Sequence, residues 1–364
     1  GNFTDSVGSF VASQASSTPQ PWYRTNRMGG KPSLEFRGGQ TLNVGRPASI
    51  ISAYNARTVS VFIVYKSSGV ASTYGAMALF GSHFLYADGT NVGNFNGTTA
   101  RGKTLPHSGQ TSFSTFCATA VTPDPAGGAT GSQRYAINGG CVTQAEFQIA
   151  ADDGSSNYAI GGDAGINFMF DGEIFDIVVW NTEITPTDIL QAQMWACDKY
   201  SQPYPWAAQS YFAIVDGDSH GAGVGATAFV ECYAYKMAQS LGLSYGQWSN
   251  VATAGASMAL MNTQAATNID DVYALIGKPI KLLAWEWYNQ QAADPTPRNS
   301  SLTYLSNRRN ANVKVCFGTS TDTGNTTDTN RADYNAHFDA NHTTATMDAY
   351  IAFNADANIG EETD

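Results

Sequence analysis

Charge is scarce in this sequence. Only 13% of its 364 residues are Asp, Glu, Lys or Arg, against about 25% in an average globular protein. Lys and Arg number 19 against 30 Asp and Glu, a formal net charge of −11. With no basic stripe on view, nucleic acid and anionic membrane surfaces are disfavoured as partners. A neutral or weakly charged partner such as a polysaccharide suits the composition better. No run approaches the roughly 20 apolar residues of a membrane span, so no membrane insertion is expected. Cysteine is sparse too: Cys117, Cys141, Cys197, Cys232 and Cys316 stand far apart, with no Cys-x-x-Cys pair. Their odd number leaves at least one thiol unpaired, and all five fit the part of small buried apolar residues. The sequence has no visible signal peptide, and Gly1 is not an initiator methionine, so the true start is expected upstream.

What is present is enough to fold. Hydrophobic residues make up 43% and aromatics 12%, which is not a disordered composition. The length exceeds the usual single-domain range and predicts two domains.

Residues 1–203 read as strands separated by turns. Thr58–Lys66, TVSVFIVYK, is β-branched and aromatic throughout. Pro32–Arg37, Gln40–Val44, Ala78–Gly81, His83–Ala87, Phe113–Val121, Gln133–Ile137, Asn157–Gly161 and Gly172–Trp180 follow at the spacing of an all-β sandwich. Asn138-Gly139-Gly140 is a turn that accepts positive φ. Only Thr185–Tyr200 reads as helix, with Thr185 as N-cap, Pro186 in the first position and Asp188 completing a capping box. Residues 204–210 read as a linker.

Gly30–Gly38, Thr58–Lys66, Tyr135–Val142 and Phe170–Pro186 together resemble the concanavalin A-like, laminin-G-type domains. The resemblance covers nearly all of residues 1–200 and implies a jelly-roll sandwich that binds carbohydrate or serves in adhesion. Such domains open with a further strand, so the sandwich is expected to be cropped at its N-terminus. Asp88–Asn91 and Asp152–Gly154 group oxygen ligands in turns, but read as ordinary Asx turns, and no metal is expected. His83 and His107 lack ligand spacing and read as structural or surface residues.

From Tyr211 the pattern alternates strand and helix. Phe212–Asp216 is a strand, Thr227–Leu241 a helix, Gln247–Ala252 a strand, Thr263–Ile276 a helix and Ile280–Trp285 a strand. Ser301–Arg308, Val313–Phe317, Arg331–His342 and Tyr350–Phe353 continue the alternation, which predicts a parallel sheet with helices on both faces. Small or amide residues follow three successive strands: Gly217-Asp218-Ser219, Gly255 and Asn289. At one sheet edge they would supply a nucleophile, a backbone N–H and a side-chain amide for a developing oxyanion.

In that order they resemble the SGNH (GDSL-type) hydrolases, esterases and carbohydrate deacetylases with a three-layer, flavodoxin-like α/β fold. The resemblance implies Ser219 as nucleophile, with Gly255, which ends Asn250-x-Ala-x-Ala-Gly, and Asn289 as oxyanion donors. It needs no cofactor. Two departures stand out. The third block, normally Gly-x-Asn-Asp, is Trp287-Tyr288-Asn289-Gln290, and Trp285, Trp287 and Tyr288 offer either a sugar-stacking wall or core packing. The family's closing Asp-x-x-His has its spacing in Asp339–His342, but those residues sit in a helical stretch and read as a chance match; His337 reads as a surface residue. The catalytic His and Asp are therefore expected beyond Asp364, with the α/β domain (211–364) truncated. The combined expectation is an extracellular or virion-associated carbohydrate-binding esterase, with a non-catalytic fibre, spike or surface protein as the competing class and homo-oligomeric or surface assembly compatible with both.

Overall fold

A computed structural model of the chain describes residues 2–4, 11–13, 20–45, 48–56, 58–69, 75–80, 83–96, 99–100, 104–108, 110–121, 132–146, 158–162, 169–223, 226, 228–285, 295–311, 313–318, 328–342 and 347–351. Two antiparallel sheets form its first part. One has nine strands, running in space from Asn2–Thr4 through Leu42–Gly45 and Tyr158–Ile160 to Asn91–Asn96 and its neighbours. The other has seven: β1 (Trp22–Arg24), β2 (Ser33–Arg37), β3 (Ser60–Ser67), β4 (Ser114–Val121), β5 (Ser132–Ile137), β6 (Gly140–Glu146) and β7 (Asp171–Trp180). Their spatial order is β6-β5-β4-β3-β7-β2-β1.

The apolar run of β3 reflects burial on both faces. Val61, Ile63 and Tyr65 enter the core between the sheets with Met77, Ala78 and Leu85. Phe62 and Val64 point the other way, against Ile189, Ala196 and Tyr200 of the helix Pro186–Tyr200. That helix starts where the sequence predicts, with Thr185 and Asp188 forming both halves of the capping box. It is not alone in this half. Ala48–Asn55 is also helical (α1; Pro186–Tyr200 is α2), contrary to expectation. Its paired isoleucines and two serines mask the helical signal, and Pro47 just before it is the start marker that reveals it.

The remainder is a five-stranded parallel sheet: β8 (Phe212–Gly217), β9 (Trp248–Asn250), β10 (Ile280–Trp285), β11 (Lys314–Gly318) and β12 (Ala349–Ile351). The order β9-β8-β10-β11-β12 is, counted from β8, 2-1-3-4-5, the flavodoxin-like order. Helices α3 (Ser219–Ala222), α4 (Tyr233–Ser240), α5 (Met258–Ala265), α6 (Asp271–Ile276), α7 (Pro295–Asn310) and α8 (Asp328–Asn341) alternate with the strands. Phe212 and Ile214 pack with Met258, Met261, Ile269 and Leu305 on one face. Ala213 and Val215 pack with Ala234 and Ala238 of α4 on the other. The sheet is therefore the middle of three layers.

Two helix boundaries differ from expectation. The predicted helix 227–241 is a 3-10 turn, Phe229–Glu231, followed by α4, because Cys232 is extended (φ −61°, ψ 133°). The helix predicted from Thr263 begins at Met258, where Ser257 caps it, and passes through a π turn at Ala266–Asp270. A capping serine directly after Gly255-Ala256 reads as loop until the cap itself is seen.

Residues 204–210 are packed. Trp206 is buried, stacks on Tyr204 with centroids 5.5 Å apart, and meets Phe212 edge-on. Lys278 Nζ donates to the Ala207 carbonyl at 2.8 Å. The β5–β6 hairpin tip presses on β9: the Cys141 N–H donates to Ser249 Oγ at 3.0 Å, and a Cβ at Gly140 would stand 2.2 Å from the Trp248 carbonyl oxygen. The five cysteines are free, four buried and Cys316 half-buried. Burial pushes the Cys141 and Cys197 thiols up to about 11, which makes them inert.

Candidate active site

β8 delivers the chain to the carboxyl edge of the sheet between β9 and β10, the topological switch point where ligands bind in open α/β folds. The strand cannot end on a larger residue, because a Cβ at Gly217 would lie 2.2 Å from the Trp285 carbonyl oxygen. Asp218 follows, fully buried, and its Oδ1 accepts the His220 N–H at 2.9 Å. Ser219 opens α3, half-buried. The turn is clamped from β9, where Asn250 Nδ2 donates to the Gly221 carbonyl at 2.7 Å while Asn250 Oδ1 accepts the Ala252 N–H at 3.2 Å. A Cβ on Gly221 would meet Ala252 Cβ at 2.6 Å, so the two loops touch closely.

Asn250 thus fixes the backbone that carries Ser219. Asn250→Ala strands a buried carbonyl and is expected to destabilise the protein by about 1–3 kcal/mol. Urea denaturation measures this, and an unchanged midpoint would refute the clamp.

Of the residues singled out in the sequence, Ser219, Gly255 and Trp285 come to this edge. The Thr253 N–H donates to the Gly217 carbonyl at 3.0 Å, tying the Gly255 loop to the end of β8. Gly255 is exposed and takes φ +73°. Trp285 pairs in register with Gly217. Its ring meets Tyr233 edge-on at 5.1 Å and His220 at 6.2 Å. Trp287, Tyr288 and Asn289 lie outside the described residues.

Asp339 and His342 stand elsewhere. Asp339 lies in the last turn of α8 and His342 just past its end, on the way to the start of β12, so they occupy the opposite, amino-terminal edge of the sheet. β12 lies three strands from β8, roughly 14 Å at the usual spacing. Both contact Tyr350: its hydroxyl donates to Asp339 Oδ1 at 2.8 Å, and its ring stacks on His342 at 5.1 Å. His337, expected at the surface, is half-buried and edge-on to Phe338. His107 is buried beneath Tyr245, with Nε2 3.1 Å from Ser114 Oγ, and burial lowers its pKa to about 4. His83 sits on the nine-stranded sheet. No described histidine other than His220 stands at the edge that carries Ser219.

The site's floor is acidic and buried. Asp216 accepts the Tyr304 hydroxyl at 2.5 Å and the Gly217 N–H at 2.9 Å, and burial raises its carboxyl to about 6. Tyr233 and Tyr304 are pushed well above their ordinary range, chiefly by burial and then by these carboxylates. Both therefore remain protonated donors. The Tyr233 hydroxyl has no hydrogen-bond partner among the described residues, and it would stand 3.5 Å from a Cβ at Gly221. Asp216, Asp218, Asn250, Tyr233 and Tyr304 all went unassigned in the sequence. A carboxylate ending an apolar strand marked Asp216, and Asn250 stood within the block ending at Gly255; nothing local marked the two tyrosines.

Asp88 forms an Asx turn, its Oδ1 taking the Thr90 and Asn91 N–H groups at 2.9 and 2.7 Å. Asp152–Gly154 lie outside the described residues. Among the described residues no cluster of three or more His, Cys, Asp or Glu forms a metal site.

No family model matches the chain, and no curated protein matches it. Among solved structures it is similar to a leech intramolecular trans-sialidase, at 18% identity and TM-score 0.34, over 44% of this chain and 27% of that one. A Ruminococcus gnavus IT-sialidase CBM40 bound to α2,3 sialyllactose matches at 14% identity and TM-score 0.34, over 47% of this chain and 98% of the module. A putative acylhydrolase from Bacteroides fragilis matches at 12% identity and TM-score 0.32, over 42% of this chain and 71% of that one.

Proposed function

We propose that this protein is a serine esterase that removes O-acyl groups, acetyl foremost, from a polysaccharide. The sandwich (residues 1–203) holds the saccharide, residues 204–210 form the junction, and the α/β unit (211–364) carries the chemistry. One observation supports this above others: a half-exposed serine opens a helix at the switch point of a 2-1-3-4-5 sheet, in a turn clamped by Asp218 and Asn250.

In this reading Ser219 Oγ attacks the acyl carbonyl while a general base takes its proton. The C–O bond to the sugar breaks as the base returns that proton to the departing sugar oxygen. Water then hydrolyses the acyl-enzyme, releasing the carboxylic acid and restoring the Ser219 hydroxyl. The first N–H groups of a helix have no intrahelical partner, so the Ser219 N–H is placed to receive the developing oxyanion. The Gly255 N–H and the Asn289 amide complete that role. Trp285, Trp287 and Tyr288 form the wall against which the sugar stacks. The setting is extracellular or on a virion or cell surface, as a monomer or a homo-oligomer, and the chemistry calls for no metal or organic cofactor.

A fluorophosphonate probe tests the nucleophile directly. Incubated with the full chain and digested, it should leave its adduct on the peptide that contains Ser219. Ester hydrolysis with the adduct on another residue would reject the assignment. The second reading is a non-catalytic fibre, spike or surface protein that keeps the fold. It is favoured by the absence, among the described residues, of a histidine set against Ser219 Oγ, and it predicts neither adduct nor turnover.

A further inference from the structure

The acidity of the chain conceals one local reversal. Between Gln20 and Arg37 stand four cations, Arg24, Arg27, Lys31 and Arg37, against a single acid, Glu35. The register of β1 and β2 gathers two of them, Arg24 and Arg37, on one side of the seven-stranded sheet. Trp22 pairs with Glu35, and Arg24 pairs with Ser33, so Trp22, Arg24, Glu35 and Arg37 share a face. Along the strands Arg24 and Arg37 fall on opposite sides of Trp22. Their guanidinium carbons lie 4.4 and 3.8 Å from its ring centroid. Each also donates its Nε to a different oxygen of Glu35, Arg37 at 2.6 Å. Arg24 and Arg37, chiefly the first, hold the Glu35 carboxyl below its ordinary range, so it stays ionised as the shared anchor.

The outcome is two stacked, pre-set guanidiniums answered by one carboxylate. Nε of each is committed to Glu35, and both arginines line a cavity of about 550 Å³ together with Tyr23, Thr25, Arg27 and Glu35. Arg27 is matched one to one with Glu173, at 2.5 and 2.9 Å. Asp171 pairs in register with Arg37 but lines the neighbouring hollow, so the lining of this cavity holds three guanidiniums against one carboxylate, Glu35. Arginine forks of this kind suit planar carboxylates. Tyr23, 57% exposed, also borders the cavity. A second cavity of about 300 Å³ shares Glu35 but adds Asp171 and Glu173 against Lys66 alone, so the cationic site is confined to the first.

The geometry points to a binding site for a carboxylate-bearing saccharide, a chain of hexuronate units, at the Arg24–Trp22–Arg37 clamp. The saccharide part rests on the carbohydrate-binding reading above and replaces the neutral ligand that composition favours; the anion site stands on its own geometry.

Calorimetric titration of the full chain with hexagalacturonate, and with the neutral galactose hexamer of the same length, tests it. Hexagalacturonate should bind at least tenfold tighter than the neutral hexamer and weaken as salt rises. Arg24→Gln with Arg37→Gln should lower its affinity at least tenfold, with thermal unfolding showing the variant folded. Arg37→Lys, which keeps the charge and loses the fork, should fall between. Equal affinity for both hexamers, or hexagalacturonate binding unaltered in the double variant, would overturn the site and leave the carbohydrate reading in place. Silence from both hexamers would overturn the site while ester hydrolysis still reports on Ser219.

Discussion

Ser219→Ala should lower turnover of p-nitrophenyl acetate by about three orders of magnitude or more, the loss that follows removal of an activated serine nucleophile. Stability should barely move. Ser219 is half-buried at the first turn of a four-residue helix, where exchanging a hydroxyl for a methyl hydrogen falls within about 0.5 kcal/mol. Two controls separate chemistry from folding. Asp218→Ala removes the cap that accepts the His220 N–H, and should cost about 0.5–2 kcal/mol of stability along with activity, because the turn that seats Ser219 loosens. Ser257→Ala removes the cap of α5, where Ser257 Oγ accepts the Leu260 N–H at 3.3 Å. It should cost similar stability and leave turnover intact. A Ser219→Ala protein that hydrolyses the ester at the native rate would end the esterase reading in its present form.

The architecture was legible where local pattern and tertiary burial agree. TVSVFIVYK read as a strand because both its faces are covered, by the opposite sheet and by α2, so no polar residue interrupts it. The α2 start was legible because its cap is entirely local, Thr185 to Asp188. The alternation of elements predicted a parallel sheet, and its flavodoxin-like order was implied only by the resemblance. Of the three positions expected at one edge, Ser219 and Gly255 fall within the described residues and Asn289 lies outside them. The failures share a cause. Ala48–Asn55 and the α5 start are helices whose sequences are β-branched or glycine-flanked, and packing overrides that local preference. The support of the site was hidden for a similar reason: Tyr304 reaches Asp216 across 88 residues of chain, and no spacing rule spans that distance. The clamp around Trp22 was missed because its cations are diluted in an acidic chain. Only the β1–β2 register assembles them.

Asp216→Asn should flatten the pH dependence of stability between about pH 4 and 6. The Asp216 carboxyl is raised from 3.8 to about 6, first by burial, against the pull of the Tyr304 hydroxyl, the Gly217 N–H and the positive charges of Arg308 and Arg134. A folded-state pKa above the unfolded one means that the folded protein holds a proton the unfolded chain has released. The stability tied to this group is therefore complete below about pH 4 and is lost as pH rises through 6. Above that, the folded protein keeps a buried carboxylate at a cost of about 3 kcal/mol, two pKa units at 1.36 kcal/mol each. Asparagine fits the same seat: its carbonyl accepts the Gly217 N–H, and its amide donates to a Tyr304 hydroxyl turned to receive it. Relative to the native protein, Asp216→Asn should gain about 3 kcal/mol between pH 4 and pH 7.5 in urea denaturation. Parallel pH profiles would show that Asp216 is not held near 6. Since Gly217 and Asp218 alone separate this carboxyl from Ser219, turnover measured on the same variant decides whether the buried acid serves only the fold. Activity that follows the folded fraction at each pH assigns it to the fold, and activity that departs from it makes Asp216 a positioning residue for the nucleophile.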